Sequence, residues 1–225
     1  MPHPRPDTNE MVIVHRVFRR EFRLAPALVR GVAPGDARRS ATVAAHCRWL
    51  TGALHHHHSD EDELLWPWLV AEAQPCAEVT ARMQTQHEHA AALLAAADEL
   101  LGPWAATADP ATRDQLADVL ERLHPVLEEH LDDEEATVLP PVAEHLTVAQ
   151  WAELSRRGRR SMPLRKGLLF VVMMLQDATP GERAGLLHQM PSPVRLLIRW
   201  YARPAHRRYL TRLCASSGDP APPPG

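Results

Sequence analysis

Residues 54–69 read LHHHHSDEDELLWPWL, and residues 130–141 read HLDDEEATVLPP. Each stretch holds a histidine, a glutamate four positions on, and a proline six positions after the glutamate. These are His57, Glu61 and Pro67 in the first copy, and His130, Glu134 and Pro140 in the second. A spacing of four places two side chains on one helical face, one turn apart. Imidazole and carboxylate are also the usual ligands of first-row transition metals. The repeat selects His57 from the four-histidine run, because His58 would pair with Asp62 and break the match to the second copy. The run lies inside the chain, which argues against a terminal purification tag. His55, His56, His58 and Asp60 are expected at the surface or behind the ligands.

Apolar residues around both copies recur every three or four positions, the period of a buried helix face. One seam runs Leu50, Leu54 (or Ala53), His57, Glu61, Leu65 (or Leu64), Trp68. A second runs Leu116, Leu120, Leu123, Leu127, His130, Glu134, Val138. Two more follow the same period: Met11, His15, Phe18, Phe22, Ala25, Val29, Val32, and Val79, Met83, His87, Ala90, Leu94, Ala97, Leu101. Four long helices result, starting near Glu10, Asp36, Pro75 and Pro110 and joined by short Pro/Gly-rich connections. Pro67 is expected to kink the second, and Gly102-Pro103 to end the third. No segment alternates with period two, so the chain is predicted to be all-α, with an antiparallel up-down four-helix bundle.

A single histidine in an apolar stripe is more often a hydrogen-bonded core residue than a ligand. Here all four stripes carry one, and two add a glutamate. Burying four imidazoles with two carboxylates is costly unless a cation compensates. A pair of metal ions does so with the fewest parts. A structural zinc site would use four ligands and more cysteine, so iron is the expected metal.

The 225 residues are enough for one good-sized domain plus an extension, and 45% hydrophobic residues supply a core. Residues 1–146 hold 12 Lys+Arg against 24 Asp+Glu, and residues 147–225 hold 13 against 4. That asymmetry suggests either that the two parts dock on each other, the favoured reading, or that the basic part meets an anionic partner. The division is a disordered lead over 1–8, a bundle over 9–146, and a basic helical extension over 147–225 with a Pro-rich disordered tail from Ser216. Capping-box patterns at Thr147 and Thr179 and a Ser192-Pro193 pair open helices in the extension, and Arg156–Arg160 is expected as a loop. Without a nucleic-acid recognition motif, nucleic acid is not an expected partner. Cys47, Cys76 and Cys214 are scattered singly, which suits a reducing compartment. The polar N-terminus shows no signal peptide, and the longest apolar run, Gly167–Leu175, is far below the roughly 20 residues that span a bilayer. A cytoplasmic protein without a membrane partner is expected.

With His15, His57, Glu61, His87, His130 and Glu134 in this order, the chain resembles the hemerythrin HHE cation-binding family, whose pattern is H…HxxxE…H…HxxxE on four antiparallel helices. The text around them fits, in MVIVHRVFR (11–19) and EDELLWP (61–67). The resemblance covers about residues 9–146, and the extension is similar to that of actinobacterial members. It implies a non-heme pair of iron ions, oxo- or hydroxo-bridged, with bridging glutamates and two histidines on each iron, His15 and His57 on one and His87 and His130 on the other. The oxygen carriers of the family carry HxxxH in the third helix, whereas Ala91 stands four after His87 here. The position so left open could be filled by His89, His58, His124, Asp133 or a phenolate from Tyr201 or Tyr209. The resemblance implies a small-molecule partner: peroxide in a catalase-like reaction, or dioxygen, nitric oxide or iron in a binding and sensing role.

Overall fold

The computed structural model describes residues 5–72 and 77–214. Residues 1–4 of the expected lead, the Gln74-Pro75 break and the Pro-rich tail lie outside them. Among the described residues every regular element is helical. Helix α1 spans Asn9–Arg30, α2 Ala37–Asp60, α4 Ala77–Thr107 and α5 Pro110–Thr137. Asp36 caps α2, its side chain accepting from Arg39 N–H, and Asp109 caps α5 the same way through Thr112 N–H, with Pro110 in the first turn. The α4–α5 turn passes through Ala108 at φ 50°.

Cross-helix pairs give the direction of packing. His15 and Arg30 of α1 face Glu135 and Glu121 of α5, so these two helices run antiparallel. Arg82 and His87 of α4 face Asp133 and His130 of α5 in reverse order as well. Ser40 and Thr51 of α2 reach Ala105 and Asp98 of α4. The first, third and fourth seams turn inward almost throughout: Phe18, Phe22, Val29, Met83, Leu94, Leu101, Leu120 and Leu127 are at most 4% exposed.

The second seam departs from its expected phase. After Asp60 the helix opens into a π-helical turn, Glu61–Leu65, in which Trp66 N–H bonds the Glu61 carbonyl, and α3 (Trp66–Glu72) continues it. Pro67 has no N–H for the Glu63 carbonyl and its ring crowds that group, so the helix widens one turn before the proline. The added residue rotates α3 about the helix axis, and Trp66 rather than Trp68 is fully buried. Pro103 also departs from expectation. It lies inside α4, which runs on to Thr107. The second copy breaks at Val138, where α6 (Leu139–His145) begins.

Helices α7 (Val148–Arg160), α8 (Leu164–Asp177), α9 (Pro180–Gln189), α10 (Ser192–Leu197) and α11 (Arg203–Cys214) form the extension, with a π-helical turn at Ile198–Ala202. Both capping boxes are present, at Thr147 with Gln150 and at Thr179 with Glu182. Arg156–Arg160 is the last turns of α7 and not a loop, because the helix propensity of the arginines lets the box-started helix continue past Gly158. The apolar run becomes α8, which packs on α1, while α7 and α11 pack on α2. Ion pairs across this seam run both ways. Arg157 meets Asp60 at 2.7 Å, and bundle residue Arg16 meets Glu182 at 2.7 Å.

Candidate metal centre

At one end of the bundle, α1, α2, α4 and α5 each turn a histidine inward. His15, Glu61, His130 and Glu134 are fully buried, His87 and His58 nearly so. The donors form two groups, His15, His57, Glu61 and Glu134 in one, and His58, His87 and His130 in the other. The carboxylates lie between them. Glu61 Oε1 is 3.2 Å from His57 Nε2, while its Oε2 is 3.5 Å from His87 Nε2. Glu134 Oε2 is 3.3 Å from His15 Nε2 and 3.7 Å from His130 Nε2. Each glutamate thus touches one imidazole of either group.

The outer ring nitrogens are tied down. Glu135 accepts from His15 Nδ1 at 2.9 Å and is itself held by Arg19. Asp62, displaced by the π turn, accepts from His87 Nδ1 at 2.8 Å and from Trp66 Nε1 at 2.8 Å. The Gln86 carbonyl lies 3.2 Å from His130 Nδ1, its amide donates to Asp133, and Arg82 holds that carboxylate. Acceptors at Nδ1 keep the proton there and leave Nε2 with its lone pair aimed inward, the usual outer support of a metal-binding histidine.

What the inner atoms face is the test of fit. His15, His57 and His58 Nε2 and all four oxygens of Glu61 and Glu134 are buried with no hydrogen-bond partner. His87 and His130 Nε2 face each other at 3.2 Å, and with both protons held at Nδ1 the two atoms would meet lone pair to lone pair. Lone pairs at that distance repel, yet two nitrogens about 2.1 Å from a shared ion at near right angles stand about 3 Å apart. Burial pushes the carboxyls of Glu61 and Glu134 up, and their mutual repulsion raises Glu61 further. Burial likewise drives His57 and His58 well down and His130 to about 2, with neighbouring imidazoles adding to the effect. These directions describe a polar cluster in which burial outweighs the protein's own charges. A bound cation compensates it.

This donor set on four helices decides the family. The chain belongs to the hemerythrin HHE cation-binding domain family. The family match covers residues 7–142, more than half of the chain. It makes this a metal-binding helical protein. No curated protein and no solved structure matches it.

Within the hemerythrin pattern, the structure brings together all six residues selected from the sequence, and adds a seventh. His58, expected at the surface or behind the ligands and also one of the candidates for the open position, is 5% exposed and stacks on the His87 ring at 4.1 Å between centroids. Its signal is present in the sequence: Leu54, His58, Glu61 and Leu65 step by four, three and four, as good a helical face as the one through His57. Matching two HxxxE copies conceals it. Ala91, where the resemblance places the oxygen carriers' extra histidine, is exposed, and the third imidazole beside His87 and His130 is that of His58 from α2. The other candidates lie elsewhere. His89 and Tyr201 are exposed, His124 pairs with Glu128, Asp133 with Arg82, and Tyr209 with His46 at 2.6 Å. Asp60, expected at the surface or behind the ligands, is buried against Arg157.

Proposed function

We propose that the chain binds two iron ions, that His15 and His57 would hold one and His58, His87 and His130 the other with Glu61 and Glu134 serving both groups, and that a small oxidant is the partner of this site. The observation that carries this reading is the placement of each carboxylate against an imidazole of both groups. When bound, such a metal pair supplies two adjacent Lewis-acidic, redox-active centres that share the charge of a two-oxygen ligand.

The chain's own residues supply orientation and access. Glu135, Asp62 and Gln86 hold the protons of His15, His87 and His130 at Nδ1. Phe18, 5.3 Å from the His57 ring, and Trp66, 5.7 Å from His87, exclude water on either side. The His15/His57 side has one imidazole fewer. His57 is also the only one of the seven whose side chain is more than a tenth exposed, at 12%. The open approach is therefore on that side.

Hydrogen peroxide is the substrate we place first, one molecule being oxidised to dioxygen while a second is reduced to two of water. His58 favours a second reading, reversible binding or sensing of dioxygen or nitric oxide, because a third imidazole fills a position that the sequence left open for chemistry. Metal analysis with an absorption spectrum should give about two irons per chain. Oxygen release from peroxide by that protein, lost in Glu134→Ala, supports turnover. Iron-loaded protein that leaves peroxide untouched but forms a stable reversible oxygen complex when reduced would establish the second reading. Zinc in place of iron would defeat both.

A further inference from the structure

Beside the His15/His57 side lies a cavity of about 570 Å³, roofed by the extension and floored by α1 and α2. Met11 and Phe18 of the bundle line it, with Met162, Leu168, Met174 and Met190 of the extension, and His57 and Glu61 form part of its wall. We propose that this cavity binds a neutral, apolar organic molecule with one end against His57 and Glu61, so that the extension gives the metal centre an organic ligand or substrate. The proposal rests on the metal-centre reading above for what the guest meets, but not for whether it binds.

Three observations support it. First, size: a peroxide molecule is little larger than water, whose share of liquid volume is about 30 Å³, whereas sites for organic ligands run from about 300 to 1,000 Å³. Second, lining: the wall is mainly apolar, and four of its residues are methionines, whose flexible thioethers adapt to irregular guests. Third, charge: the acids on the wall away from the centre each face an arginine, Glu10 facing Arg159 at 3.9 Å and Asp60 facing Arg157 at 2.7 Å. Arg159 is the one basic side chain among the described lining residues, and with Glu10 opposite it offers an anionic head no unopposed cation.

The test uses the full-length protein and 1-decanol as probe, with sodium decanoate beside it. Gly167 and Val171, one turn apart on α8, line the cavity, so Gly167→Leu with Val171→Phe fills it. A Cβ at Gly167 meets only Met162 Cβ, at an ordinary 4.0 Å, so Gly167→Leu alone is the variant to use if the pair unfolds. Calorimetry on metal-free protein should show saturable decanol binding, weakened at least tenfold by filling, and decanoate at least tenfold weaker than decanol. In iron-loaded protein, saturating decanol should shift the visible absorption of wild type and not of the filled variant. No saturable binding, binding indifferent to filling, or tighter decanoate would overturn the proposal. A spectrum unmoved by bound decanol would remove the contact with the centre. Decanol binding by a chain that takes up no iron would leave the cavity and sink the metal reading, while iron uptake without decanol binding would do the reverse.

Discussion

Glu21 and Glu61 are both buried, and both lie just over 3 Å from a buried or nearly buried histidine, yet only one of them calls for a metal. Glu21 Oε1 accepts from Arg20 at 2.8 Å and its Oε2 lies 3.3 Å from His46, whose other nitrogen meets Tyr209 of the extension. Burial opposes ionisation of Glu21, but His46 and Arg20 outweigh it, and its carboxyl ends below its ordinary range. Around Glu61 the leading influences all push upward: burial, Glu134, Asp62 and Asp60. A buried His/Glu pair is thus a structural device when the protein supplies its own cation, and a cation site when it does not. The Glu21 cluster pins α11 to α1 and α2. The Glu61 cluster has no such cation of the protein's own beside its carboxylate.

The largest effect that separates the two clusters is metal removal. A ligand present at a thousand times its dissociation constant stabilises by about 4 kcal/mol, and a chain of this size shifts by about 2–4 °C per kcal/mol. Chelation should therefore lower the melting temperature by roughly 10 °C or more in wild type. It should lower it as much in Glu21→Gln, and scarcely at all in Glu134→Ala. Equal responses in all three would erase the distinction.

Next in size is metal uptake by single variants. His58→Ala should weaken metal binding by on the order of 10–100-fold or drop the stoichiometry, while His89→Ala, from the exposed face of α4, should leave both unchanged. Equal metal content in the two would return His58 to the place behind the ligands that its sequence position suggests. Glu135→Gln should lower affinity with the stoichiometry kept, since it supports His15 without entering the donor set.

The smallest effect is in pH dependence, and the signs differ. Glu21 titrates below its unfolded value when folded, so its contribution is complete above an unfolded pKa of about 4.5 and is lost as pH falls through the lower folded value. Glu61 and Glu134 in metal-free protein are raised, so their contribution is complete below about 4.5 and is lost as pH rises through the folded values. Denaturant titrations of metal-free protein from pH 3 to 7 should show Glu21→Gln flattening the acid limb. Glu134→Gln should instead restore stability near neutrality. The opposite pairing would show that the carboxylates had been given the wrong partners.

Much of this is legible in the sequence alone. The 3.6-residue period of four seams specifies the helices, because a buried stripe must recur at that interval. The doubled HxxxE picks out His57, Glu61, His130 and Glu134, because i and i+4 share a face. The capping boxes at Thr147 and Thr179 are readable because they are satisfied within four residues. Statements about phase and neighbours fail. The π turn puts Trp66 in the core in place of Trp68, and Pro103 and Arg156–Arg160 stay inside helices that local signals alone would have ended.

The sequence by itself therefore determined the helices, the polar positions on their faces and the acidic-to-basic change at residue 147, all consequences of local spacing. Only the tertiary structure decided that His58 completes the second group, that Glu61 and Glu134 span both, that Glu21 and His46 form a self-compensated pair, and that the extension encloses an apolar cavity against His57. Each of these depends on residues 25 to more than 160 positions apart being brought within a few ångströms. Periodicity along one helix carries no information about what stands opposite.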